Sequence, residues 1–276
     1  IMCDKNLTID KEKCIHCGLC LNDCMAKCLE FDSEKFPQFA PGGEERCIKC
    51  QHCLAICPTG ALSILNKNPE NSAPIKNSIH PDDLFNLIQS RRSFRHYENK
   101  NLDKDTLNKL KNMLNYVPTG VNNHGLLFSF IDDVKVMDEY RENVNKKIIE
   151  TVSNGENKDI TEKFSRYKNA ILNGEDVIFR GAPHMVVVSS PKDAPCAAVD
   201  PMIALSYFEL YAQCLGVATC WCGLAYGCLD FFPEFCKPLE IPQNYKPQYA
   251  MLFGPPKVKY ARAIQPEPYK MISVKG

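Results

Sequence analysis

One cysteine spacing, used twice, constrains this chain more than anything else in it. Cys14-Ile15-His16-Cys17-Gly18-Leu19-Cys20-Leu21-Asn22-Asp23-Cys24 and Cys47-Ile48-Lys49-Cys50-Gln51-His52-Cys53-Leu54-Ala55-Ile56-Cys57 both run C-x2-C-x2-C-x3-C. Cys14 maps to Cys47 and Cys24 to Cys57, a step of 33 residues each time. Such an internal repeat is one structural unit used more than once. Three thiolates two residues apart wrap one face of a cubane. The fourth, a helix turn beyond, is carried away and ligates the other cluster. The spacing therefore predicts two [4Fe–4S] clusters, one held by Cys14, Cys17, Cys20 and Cys57, the other by Cys47, Cys50, Cys53 and Cys24. Zinc in paired C-x2-C knuckles is the competing reading. Zinc takes four ligands per ion, and the third cysteine of each triplet would then have no partner.

The chain holds sixteen cysteines in 276 residues, and ten of them precede residue 58. The start, Ile1-Met2-Cys3-Asp4-Lys5, lacks the apolar core of a signal peptide, so a cytoplasmic location is expected. Reduced thiols in that compartment point to metal and not to disulfides. Around residues 6–65 the pattern resembles the bacterial-type two-cluster ferredoxins, including the Cys57-Pro58 ending; the first copy departs from it, with Met25 after Cys24. Cys28 aligns with Ala61 of the second copy and reads as a small buried residue; Cys3 has no assigned role.

Lys plus Arg equals Asp plus Glu, 33 each, and this balance offers no basic surface for nucleic acid or an anionic membrane. No apolar run reaches the length of a transmembrane helix. The polar, Pro-interrupted stretch 67–81 reads as a linker, giving a ferredoxin domain at 1–66 and a larger domain at 82–276. In the latter, Leu84, Leu87 and Ile88 after Pro81 predict a helix, and Leu107, Leu110, Leu114 and Val117 a second that stops at Pro118. Val134 to Ile148 carries a third helical face, and Ala197–Leu215 is apolar nearly all round, as in a buried helix. Leu126–Ile131, His184–Ser190 and Tyr249–Phe253 read as strands. The fold class is α+β, with helices packed on a small sheet.

Three segments of this domain carry chemistry. Arg91-Arg92-Ser93-Phe94-Arg95 can grip a phosphate through charge-assisted bonds, although cations at a helix end also answer the macrodipole. Pro118-Thr119-Gly120-Val121-Asn122-Asn123-His124-Gly125 is a polar turn whose Asn amides offer both donor and acceptor. Gly216-Val217-Ala218-Thr219-Cys220-Trp221-Cys222-Gly223-Leu224 combines glycines, which allow close backbone approach, with the sole Trp; Cys220 and Cys222 read as core. In this order, with FRGAPHMVVV and FGPPKVKYAR, these segments resemble the FMN-dependent nitroreductase family over residues 80–276. Chains joining a two-cluster ferredoxin domain to this fold form a subgroup found mostly in anaerobes.

The resemblance implies FMN as cofactor. Arg91, Arg92, Ser93 and Arg95 would hold its phosphate and the adjoining flavin edge, and Asn122 would reach the ring. The backbone of Trp221, Cys222, Gly223 and Leu224 would approach N5 and O4. Lys259 and Arg262 would complete the phosphate site, with Lys257 competing for that role. Gly125 and Leu126 stand where many members have Pro and Trp. The resemblance also implies a homodimer, an electron donor (a ferredoxin, a ferredoxin-reducing enzyme or NAD(P)H) and an electron-poor organic acceptor such as a nitro compound. No side-chain nucleophile is expected. Reduction of an activated alkene, dehalogenation, and a docking electron carrier serving a partner protein are the alternatives.

Overall fold

The computed structural model describes residues 5–76, 79–155 and 157–274. It comprises two compact units, Ile1–Ser78 with Val121–Asn123, and Ile79–Gly120 with His124–Gly276.

In the first unit β1 (Thr8–Ile9), α1 (Leu19–Asn22), β2 (Leu29–Phe31), β3 (Pro37–Phe39), α2 (Gly43–Arg46), α3 (His52–Ala55) and β4 (Leu62–Ser63) follow in order. β1 pairs antiparallel with β4 and β2 with β3, Thr8 facing Ser63 and Leu29 facing Phe39. The step of 33 holds in the backbone as well. His16, Gly18 and Lys27 have positive φ, and so do their counterparts Lys49, Gln51 and Gly60. The left-handed Gly18 and Gln51 each open a one-turn helix that carries the third cysteine of its copy, Cys20 in α1 and Cys53 in α3. The core of the unit is small: Cys20, Cys28, Leu29, Leu54, Leu62 and Ile64. Cys28 is buried; Cys3 lies outside the described residues.

The second unit runs α4 (Pro81–Ser90), α5 (Lys104–Met113), β5 (Leu127–Ile131), α6 (Val134–Asn154), α7 (Lys158–Leu172), β6 (His184–Pro191), α8 (Asp200–Cys214), β7 (Ala218–Trp221), α9 (Gly223–Phe231) and β8 (Tyr245–Gly254). The strands form an antiparallel sheet in the order β5-β6-β8-β7. β6 reads as a continuous apolar run because both its faces are covered. Met185 and Val187 pack with residues of α6, α7 and α9, whereas Val186 and Val188 pack with α5 and α8. Side chains alternate across a strand, so one strand feeds two cores.

The helix predicted to reach Val117 ends at Met113, followed by a 3-10 turn over Leu114–Tyr116, and Val117 is extended. Pro118 imposes this, since its ring disfavours helical backbone in the residue before it. α7 and β7 were not anticipated. α7 starts at Asn157, whose side chain accepts from Asp159 and Ile160, as N-cap residues do. α4 forms where predicted, yet none of its residues is buried.

His184, at the start of β6, is fully buried, and its Nε2 accepts from the Leu102 N–H (3.0 Å). Burial pushes it from the ordinary 6.5 down to about 4. As pH falls from 6.5 toward about 4, the unfolded chain binds a proton that the folded chain refuses. This contribution to stability is therefore complete above the unfolded value and is lost on acidification through that window. Chemical denaturation across that range should show His184→Gln with a shallower decline than the wild type; parallel curves would refute the assignment.

Candidate functional site

The first unit contains two cysteine-lined cavities. Cys14, Cys17, Cys20 and Cys57 line one; Cys24, Cys47, Cys50 and Cys53, with Cys28, line the other. Each fourth cysteine thus faces the cavity of the opposite copy. The one-turn helices explain this, because Cys24 and Cys57 each fall two residues past a helix end. Equivalent backbone bonds fix both: the Cys28 N–H donates to Cys24 Sγ (3.3 Å) and the Ala61 N–H to Cys57 Sγ (3.2 Å).

The donor set fits an iron–sulfur cluster: the four cysteines of each predicted set line one cavity, and such clusters are held by four thiolates. Burial, with Cys57 and Cys17 nearby, pushes the Cys20 thiol up. Burial pushes Cys53 to about 12, with Cys50, Cys47 and Cys24 adding to it. Burial also acts on Cys57, but the Ala61 N–H and the Thr59 hydroxyl outweigh it and bring the thiol below its ordinary value. Thiols crowded in this way resist ionising together, and a cationic metal centre removes that obstacle by binding them as thiolates.

In the second unit, segment 91–95 meets β7. Ser93 bridges Thr219, and the Phe94 N–H donates to the Thr219 carbonyl (2.8 Å). Glu209 of α8 is buried and joins the two segments: Arg91 Nη1 lies 3.3 Å from Oε1, and the Trp221 indole N–H donates to Oε2 (3.0 Å). Arg92 is held by the carbonyls of Gln89 and Arg91, and Arg95 by that of Ser93. The chain after β8 comes alongside, where Tyr97 bridges Pro256, the Lys257 N–H donates to the His96 carbonyl (3.1 Å), and Tyr260 packs edge-on against Phe94. Lys259 and Arg262 lie exposed beyond this contact.

Cys220 and Cys222 are buried. Cys222 caps α9, its Sγ accepting from the Ala225 N–H (3.4 Å) and donating to the Ile178 carbonyl (3.2 Å). Gly223 opens that helix and Leu224 follows it, so this turn has backbone to offer a ligand and no thiol. Asn122 groups with the first unit, where its amide donates to the Ile48 carbonyl (3.0 Å). Glu209 was not anticipated as a site residue. Its signal was that of one acid in the otherwise uncharged run Ala204–Tyr211, a placement that requires a buried partner.

A profile of the nitroreductase family matches residues 88–255, well over half of the chain. The chain belongs to the nitroreductase family. It is an enzyme of that family, an oxidoreductase, and its front segment, residues 13–61, matches the 4Fe–4S dicluster domain. An uncharacterised ferredoxin of Methanocaldococcus jannaschii is 31% identical over 71 residues, covering 26% of this chain and 92% of the ferredoxin. Among solved structures, a nitroreductase with bound FMN from Desulfitobacterium hafniense DCB-2 is similar with a TM-score of 0.56 and 21% identity, over 70% of this chain and 98% of that one. An FMN-dependent nitroreductase from Clostridium difficile R20291 gives 0.54 and 22%, over 71% and 100%. A nitroreductase with bound FMN from Bacteroides fragilis NCTC 9343 gives 0.53 and 21%, over 69% and 99%. These likenesses establish the nitroreductase fold of the second unit. No helix among the described residues is long and apolar enough to cross a membrane.

The Arg91–Glu209–Trp221 contact has a built-in reporter, since Trp221 is the only tryptophan. Glu209→Ala leaves the indole N–H without an acceptor and should cost about 1–3 kcal/mol, with a shift in tryptophan emission. Glu209→Gln keeps an acceptor and should restore most of the emission. Unchanged stability and emission in the Ala variant would show that the contact is idle.

Proposed function

We propose that this chain is an FMN-dependent iron–sulfur flavoprotein that carries electrons from two [4Fe–4S] clusters through FMN to an electron-poor organic acceptor such as a nitro compound. The observation that carries this reading is the pair of cysteine-lined cavities in a chain whose larger part belongs to the nitroreductase family. When bound, the clusters supply one-electron transfer and FMN supplies two-electron reduction of the acceptor.

Cys14, Cys17, Cys20 and Cys57 would hold one cluster, and Cys24, Cys47, Cys50 and Cys53 the other. Arg91, Arg92, Ser93 and Arg95 would bind the FMN phosphate and flavin edge, with Lys259 and Arg262 completing the cationic side. The backbone from Trp221 to Leu224 would face the ring. Glu209 would set the rotamers of Arg91 and Trp221, and so orient two of these groups. The external donor would be a ferredoxin, a ferredoxin-reducing enzyme or NAD(P)H.

A second copy of the chain would complete the enzyme. Leu84, Phe85 and Ile88 of α4 are exposed, as are Tyr207 and Tyr211 of α8. The two helices are tied together by Gln213 Nε2, which donates to the Leu87 carbonyl (3.0 Å) and Ser90 Oγ (2.7 Å). An apolar helix face of this kind is stable in water when another surface covers it.

Anaerobically purified protein should contain about eight irons and about eight sulfides per chain, with about one FMN. Cys57→Ala and Cys14→Ala should abolish the same cluster signal in electron paramagnetic resonance, and Cys47→Ala the other. If Cys57→Ala instead matched Cys47→Ala, the crossed ligation would fall. Iron without flavin would end the enzyme reading and leave an electron carrier.

Phe85→Glu places a charge on the exposed α4 face. In sedimentation the wild type should run as a dimer, and the variant should run as a monomer that has lost its flavin. A monomeric wild type with full flavin content would exclude the dimer.

A further inference from the structure

The two cysteine cavities share one cysteine pattern but are not lined identically, and one difference adds a thiol. In the first, the residue four past the crossing cysteine is Ala61; in the second it is Cys28. Both donate a backbone N–H to the crossing sulfur, Ala61 to Cys57 Sγ at 3.2 Å and Cys28 to Cys24 Sγ at 3.3 Å. Cys28 adds a thiol, which lines the second cavity with Cys24, Cys47, Cys50 and Cys53 and interacts with the Cys24 side chain.

This fifth thiol is held in place. Cys28 is 2% exposed. Its carbonyl accepts from the Ala40 N–H (2.9 Å), and Gly43 packs so close that a Cβ there would lie 2.2 Å from the Cys28 oxygen. Arg46, which lies near Cys28, is pinned by the carbonyls of Pro41 (3.0 Å) and Lys27 (2.9 Å). Cys28 therefore cannot swing away from Cys24 without moving the turn that carries both.

We propose that Cys28 is a positioning residue for the second cluster: its thiol donates a hydrogen bond to the Cys24 sulfur and raises that cluster's reduction potential above the value it would have without this donor. A donor to a ligand sulfur stabilises the reduced, more negative cluster, and such bonds are among the factors that set cluster potentials. The first cavity has no thiol at this position; its crossing sulfur takes the Ala61 N–H and has the Thr59 hydroxyl 3.8 Å away.

The inference rests on the two-cluster reading, and iron analysis separates the two. The test is a potentiometric titration of the full chain, followed by electron paramagnetic resonance. The wild type should reduce in two steps, and the one lost in Cys47→Ala belongs to the second cluster. Cys28→Ala should retain its iron and move only that step, making its cluster up to about tenfold harder to reduce at a fixed potential, a shift of about 59 mV for one electron. Cys28→Ser, which keeps a donor, should restore most of the shift. Ala61→Cys should raise the other step. With iron content intact, an unmoved second-cluster step in Cys28→Ala, or equal movement of both steps, would overturn the role of Cys28 alone. Absence of iron from the wild type would overturn both readings.

Discussion

Each repeat sends its fourth cysteine into the cavity of the other, Cys57 to the first and Cys24 to the second. Neither copy therefore supplies all the cysteines of its own cavity. The apolar core beneath them has few members, among them Leu29, Leu54, Leu62 and Ile64. A segment this short buries too little to be secure on hydrophobic contact alone. The proposed clusters would act as crosslinks between the halves, and metal binding in such a unit is also folding energy. The left-handed residues at matching places, His16 with Lys49 and Gly18 with Gln51, shape loops whose N–H groups can turn toward anionic sulfur.

The second unit solves a different problem. Its sheet carries two cores because β6 and β8 are apolar on both faces, Met185 and Leu252 facing one way and Val186 and Phe253 the other. Such a sheet is stiff, and its edge strand β7 inherits that stiffness. Segment 91–95 borrows it in turn through Ser93 and Phe94, which bond to Thr219. The buried Glu209 then links Arg91 to Trp221. Groups distant in sequence are thereby joined to one element of the sheet, as the proposed flavin site would require.

Much of this was legible in the residues. The cysteine step of 33 carries over into backbone conformation because the same spacing demands the same turns. The strands at Leu127–Ile131 and His184–Pro191 follow from their β-branched and aromatic content. α7 was hidden because its few apolar residues, Ile160, Phe164 and Ile171, are diluted by charge. β7 is only four residues long and sits in a glycine-flanked stretch that reads as a loop. The partners of Arg91 and Trp221 depend on which faces of α8 and β7 meet, and no local pattern encodes that. Lys259 and Arg262 remain a matter of family resemblance, since they lie exposed past the last strand.

The uncovered face of α4 and α8 has a further consequence. If a second chain covers Leu84, Phe85 and Ile88, the folded state is a bimolecular species and its stability belongs to no single molecule. By mass action, dilution then favours the unfolded chain even when temperature and solvent are unchanged. The abundance of the protein becomes one of the conditions of its own folding, so a cell that makes little of it would lose more than a proportionate share of working enzyme.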